Sequence, residues 1–163
     1  LGDFPMQDYE RLRNLLPRNA QLVLGNVSDT VKSFLDALSP ESPIGYVVLD
    51  VDYYSSSLEC LKIFEGDAGL YLPETLMYLD DINADVHNPW QGELLAVHEF
   101  NEMHSMRKIC PYNFLRSARV LKNAMWIDQI YLLHVLDHAS KSTPKVGPSV
   151  IQGNPYLKIP TVG

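Results

Sequence analysis

The sequence predicts a doubly wound, mostly parallel α/β sheet in three αβα layers, lacking its first strands. Strand-like apolar segments alternate with segments of helical periodicity at least three times along 163 residues. The strand-like segments are also solid apolar runs, IGYVVLDV at 44–51 and TLMYLDDI at 75–82, rather than clean alternations. Solid runs belong to strands buried on both faces, as in parallel sheets. The opening residues, Leu1-Gly2-Asp3-Phe4-Pro5, read as the middle of a chain, which sets the expectation of an incomplete sheet.

Each element follows from local pattern. Met6, Tyr9, Leu12 and Leu15–Leu16 recur at helical spacing, and Pro17 ends that helix. AQLVLGNV at 20–27 reads as a buried strand. Ser28 or Asp29 is placed to cap a helix carrying Val31, Phe34, Leu35 and Leu38, which SPESP at 39–43 breaks. After the strand at 44–51, Ser56 and Glu59 have the spacing of a capping box, so a helix is expected up to Gly66. Gly69–Pro73 lead into the strand at 75–82, and a polar loop at 83–89 follows. Val97, Phe100 and Met103 mark a helix over 90–104, and WIDQIYLLHVL at 126–136 a late strand or strand pair. Residues 1–138 thus form one α/β domain, and 139–163, rich in Pro, Gly, Ser and Lys, a loop-rich tail.

Composition narrows the function classes. The chain is 46% hydrophobic and 20% charged, close to the globular average. A net charge of −7, from 20 acids and 13 bases, argues against nucleic-acid or anionic-membrane surfaces. No apolar run reaches the ~18 residues of a membrane span. Cys60 and Cys110 lack metal spacing and are too few for a disulfide framework, so a cytoplasmic protein with free thiols is expected.

The acids carry the functional information. Ligands of open α/β sheets bind outside the carboxyl ends of the strands. Asp50 and Asp52 close one predicted strand, and Asp80 and Asp81 the next. Parallel neighbours about 4.8 Å apart would bring both pairs to one edge. Such a cluster is relieved by protonation or by a cation, and oxygen ligands favour Mg²⁺, Mn²⁺ or Ca²⁺ over zinc. The plain alternative is that these acids cap loops and following helices. A bound divalent ion would lower the pKa of an alcohol, and a further carboxylate would take its proton.

The run GYVVLDVDYYSSS at 45–57, followed by YLDDI at 78–82 and GELLAVHEF at 92–100, resembles the macrocin-type O-methyltransferases. Those are class I, Rossmann-like, S-adenosylmethionine-dependent enzymes that methylate hydroxyls of sugars and other natural products. The likeness spans roughly residues 2–138. It implies Asp50, Asp80 and Asp81 as ligands of Mg²⁺ or Mn²⁺, and Asp52 as the general base. It places Gly25 and Asn26 near the adenine end of S-adenosylmethionine, and Leu49 and Asp50 beside its methionine part. Many relatives carry an acid at the Asn26 position. The Gly-rich turn and ribose-binding acid of class I enzymes have no counterpart here. The resemblance therefore implies a core without its cofactor-binding half, a small-molecule hydroxyl acceptor as partner, and a homo-oligomer.

Other residues read more plainly. Glu93 suits the positive end of a helix dipole, and His98 and Glu99 a solvated face. His87 follows the Asp80–Asp81 strand in a loop. His134 and His138 would share a helix face, but their surroundings read as a strand. Tyr53 and Tyr54 suit simple packing after a strand, or for one of them a place below a ligand, and Trp90 a helix-start anchor or a lid over a sugar ring.

Three other functions fit parts of the pattern. A phosphotransferase of the haloacid dehalogenase type would use Asp50 as nucleophile and Asp52 as acid/base. The 28 residues from Asp52 to Asp80 leave little room for its other motifs, and Tyr54 stands where a small residue is expected. A nucleotide-sugar glycosyltransferase would use the DxD but leaves the second acidic pair unexplained. A non-catalytic Rossmann-like scaffold would explain the missing glycine loop.

Overall fold

The computed structural model describes residues 8–83, 88–118, 120 and 123–142. It is an α/β fold built on a four-stranded mixed sheet flanked by helices. The strands are β1 (Ile44–Leu49), β2 (Tyr71–Leu79), β3 (Arg107–Pro111) and β4 (Ile130–Val135), in the order β1-β2-β4-β3. β1 and β2 run parallel, whereas β4 runs antiparallel to both β2 and β3. Two of the three pairings are thus antiparallel, which corrects the expected mostly parallel sheet. The chain leaves β3 at Pro111 and re-enters the sheet at Ile130, which sets the last strand between β2 and β3 and antiparallel to both.

One sheet face makes the core. Met77, Leu79, Leu133, Val135 and Ile109 point from it into a cluster with Leu61, Ala96, Val97 and Phe100. Leu61 ends helix α3 (Tyr54–Leu61), and the last three lie on α4 (Gly92–Met103). The opposite face carries the alternate residues. Tyr46, Val48, Leu72 and Leu76 there are 54%, 53%, 42% and 39% exposed. The expected third layer is therefore not present among the described residues.

Several elements depart from their expected bounds. Residues 20–26 form no strand, and Val23 and Leu24 are exposed. An apolar run becomes a strand only beside a partner that takes its backbone hydrogen bonds, and no described strand pairs with it. Helix α1 (Tyr9–Leu15) buries no residue. Helix α2 (Val27–Asp36) is capped by Asn26, whose side chain accepts the Ser28 N–H, so it starts ahead of the expected Ser28 or Asp29. α3 starts after Tyr53, which places Ser56 inside the helix, and no side chain caps it. β2 begins at Tyr71, and its pairing with β1 slips between Ile44 and Tyr46 opposite Pro73, a residue with no N–H for the ladder.

The strand β3 was not visible in the sequence pattern. It forms an edge of the sheet, and α4 closes that edge with Asn101. The Asn101 amide donates to the Ile109 carbonyl and accepts the Ile109 N–H, both at 2.7 Å. Beyond β3 lies α5 (Phe114–Ala118), and beyond β4 the short α6 (Ala139–Ser142), at the start of the segment expected to be a loop-rich tail. The rest of that tail, and His87, lie outside the described residues. No helix among the described residues is long and apolar enough to cross a membrane.

Candidate metal centre

The parallel register of β1 and β2 builds the site. Leu49 is the partner of Leu79, so Asp50 and Asp80 are the next residues on neighbouring strands. The Asp80 N–H donates to the Leu49 carbonyl at 3.0 Å, which closes the ladder beneath the two acids. Asp81 opens a single 3₁₀ turn over Asp81–Asn83. One carboxylate oxygen from each of Asp50, Asp80 and Asp81 lies within 4.8 Å of the other two. Of the two acidic pairs expected at this edge, Asp50, Asp80 and Asp81 converge, whereas Asp52 does not join the cluster.

The neighbours hold this edge in place. The Gln129 amide, just before β4, donates to the Asp80 carbonyl at 2.5 Å. The Tyr78 hydroxyl donates to Asp80 Oδ1 at 3.0 Å; burial, then this bond, raise the Tyr78 pKa. Asp50 and Asp80 are exposed and form no ion pair among the described residues. At the 4.8 Å limit, two like charges repel by about 1 kcal/mol in a water-like dielectric and about 3 kcal/mol at an effective 20. Three converging oxygens without a cationic side chain on Asp50 or Asp80 fit a hard divalent ion.

Glu93 lies in the first turn of α4, as its place at the positive end of the helix dipole predicts, and it is 1% exposed. Gly92, at φ 64°, turns the chain into α4 and sets Glu93 in its first turn. Glu93 Oε2 accepts the Asp81 N–H at 3.3 Å. Burial pushes its pKa up to about 8; the Asp81 N–H opposes this, and the charges of Asp81, Asp80 and Asp50 add to it. No sequence signal separates a buried first-turn acid from a solvated one.

The other expected site residues fall elsewhere. Asp52 is exposed two residues beyond Asp50 and outside the three-acid cluster. Leu49 is 5% exposed, with its side chain in the core. Gly25 and Asn26 lie at the start of α2, and the Asn26 side chain is engaged as its cap. Gly25, at φ 146°, has no room for a Cβ, which would meet Thr30 Cγ2 at 2.9 Å. Glu99 accepts the Tyr54 hydroxyl at 2.6 Å rather than facing solvent alone, and that bond raises the Tyr54 pKa. His98 is exposed beside Glu102. His134 lies on β4, so it shares no helix with His138. Trp90 is 78% exposed, and Cys60 and Cys110 are free thiols. A cleft of about 770 Å³ between α2 and residues 62–70 is separate from the acids.

No family model, curated protein or solved structure matches this chain.

Proposed function

We propose that the three-acid edge binds Mg²⁺ or Mn²⁺ and serves S-adenosylmethionine-dependent O-methylation of a sugar-like or natural-product hydroxyl. The convergence of Asp50, Asp80 and Asp81 within 4.8 Å carries the proposal. The sheet adds support. β1 and β2 run parallel, so their carboxyl ends bring Asp50 and Asp80 to one edge, the edge at which open α/β sheets bind ligands.

In this reading the divalent ion supplies a lowered pKa for the acceptor hydroxyl and a fixed direction for it. Asp50, Asp80 and Asp81 hold the ion through carboxylate oxygens. Asp52, two residues beyond Asp50 and outside the cluster, would take the hydroxyl proton as general base. S-adenosylmethionine, when bound, would supply the methyl group and leave as S-adenosylhomocysteine.

The test is methyl transfer from labelled S-adenosylmethionine to a panel of sugar-like alcohols. Transfer abolished by EDTA and by Asp52→Asn is expected. Transfer that persists in EDTA rejects the metal role, and label trapped as a phospho-enzyme at Asp50 from a phosphoryl donor selects the phosphotransferase instead. The exposed sheet face of Tyr46, Val48, Leu72 and Leu76 favours one other reading, a binding or scaffolding module. Stable self-association without any Mn²⁺ binding would select it.

A further inference from the structure

We infer that Glu93 is a positioning residue for the cation site, holding Asp81 from inside the fold; this rests on the cation reading above. Its side chain is 1% exposed. Its Oε2 accepts the Asp81 backbone N–H. Its Oε1 is buried and has no hydrogen-bond partner among the described residues. An unsatisfied buried oxygen costs about 1–3 kcal/mol, so an apolar side chain of similar size would serve packing better. Among the described residues, the hydrogen bond that the Glu93 side chain makes goes to the backbone of one of the three converging acids.

That bond acts where the sheet no longer does. The ladder between β1 and β2 ends with the Asp80 N–H bond to Leu49. Asp81 is the next residue, and its N–H points away from the sheet to α4. Fixing this amide fixes the backbone from which the Asp81 carboxylate departs. Mg²⁺ tolerates little deviation from octahedral geometry, and partners that orient a ligand typically contribute 10–100-fold to affinity. Glu93 ties α4, and with it the core around Ala96, Val97 and Phe100, to the geometry of the acids.

The experiment is a Mn²⁺ titration of the full 163-residue chain, followed by the resonance of free aqueous Mn²⁺. Glu93→Gln keeps an acceptor for the Asp81 N–H, and Glu93→Met keeps the volume without one. Glu93→Met is expected to weaken Mn²⁺ binding about 10–100-fold, and Glu93→Gln to stay within about threefold. Phe100→Leu, a packing change in the same helix, is expected to lower the melting temperature and leave affinity alone. Equal affinity of Glu93→Met and the unaltered chain overturns the inference, as does an equal loss in Phe100→Leu. An unaltered chain that binds no Mn²⁺ overturns the cation reading and the inference with it; tight binding indifferent to Glu93→Met overturns the inference alone. If Glu93→Met does not fold, hydrogen exchange at the Asp81 amide decides. Slower exchange on adding Mg²⁺, in the unaltered chain and in Glu93→Gln, is expected, and unchanged exchange overturns the inference.

Discussion

The Asp80 amide donates to the Leu49 carbonyl, and this last rung of the parallel ladder lies directly beneath the acidic edge. Because Leu49 and Leu79 are register partners, a slip of one residue would separate Asp50 from Asp80 along the strands. Register, more than side-chain choice alone, assembles the cluster.

The first prediction concerns charge. Without a cation the three acids repel, so Asp80→Asn should stabilise the chain in EDTA. The expected gain is about 1 kcal/mol, or a melting temperature about 2–4 °C higher. Mg²⁺ should raise the melting temperature of the unaltered chain and leave Asp80→Asn nearly unmoved. Thermal melts with and without Mg²⁺ check both arms; an Mg²⁺ response retained in Asp80→Asn would count against the site.

The second concerns pH. Glu93 has a folded pKa near 8 against an ordinary 4.5. Its protonated form is therefore the one the fold favours. That contribution is complete below about pH 4.5 and is lost as pH rises toward and through 8. Glu93→Gln cannot ionise, so its advantage over the unaltered chain should grow from near zero at pH 4.5 to a few kcal/mol at pH 8.5. Urea unfolding across this range is the measurement, and parallel pH profiles would reject the buried neutral carboxyl.

The third concerns the edge of the sheet. Asn101→Ala removes both bonds to Ile109 and should cost about 2–3 kcal/mol. Asn101→Asp should be worse at neutral pH, because a carboxylate would face the Ile109 carbonyl without a donor. Exchange at the Ile109 amide should accelerate in both variants. Protection unchanged in Asn101→Ala would mean that the clamp contributes little.

The fourth concerns Arg107. Its side chain is 9% exposed and pairs with Asp137, donates to the Gly66 carbonyl and lies over the Tyr71 ring. Asp137→Ala leaves a mostly buried cation short of its counter-charge. Because Asp137 is 40% exposed, the expected loss is about 2 kcal/mol, below the 3–5 kcal/mol typical of fully buried pairs. Chemical denaturation measures it, and a loss under 0.5 kcal/mol would place the pair with ordinary surface bridges.

The sequence revealed elements whose signal is local. β1, β2, α3 and α4 were found because apolar runs and helical spacing are short-range patterns, and the acids were found because they end those runs. What it hid depends on neighbours in space. Residues 20–26 look like a strand by composition, but a strand exists only with a partner. β3, read as nothing, is a five-residue segment that starts Arg107-Lys108, and its pairing with β4 is invisible along the chain. The direction of β4 was equally hidden, because an apolar run does not state which way it runs. The first-turn place of Glu93 was legible, but its burial was not, because burial depends on Asp81 and the core around it.

The sheet's two margins are unlike. Along β3 the Asn101 amide imitates a missing neighbour and seals the outer backbone at Ile109. Along β1, IGYVVL contains no charged residue or proline to discourage company, and no described strand occupies its outer side. Among the described residues the sheet is accordingly lopsided: its outer backbone is closed by a side chain at Ile109 and left without a strand neighbour beside Tyr46 and Val48.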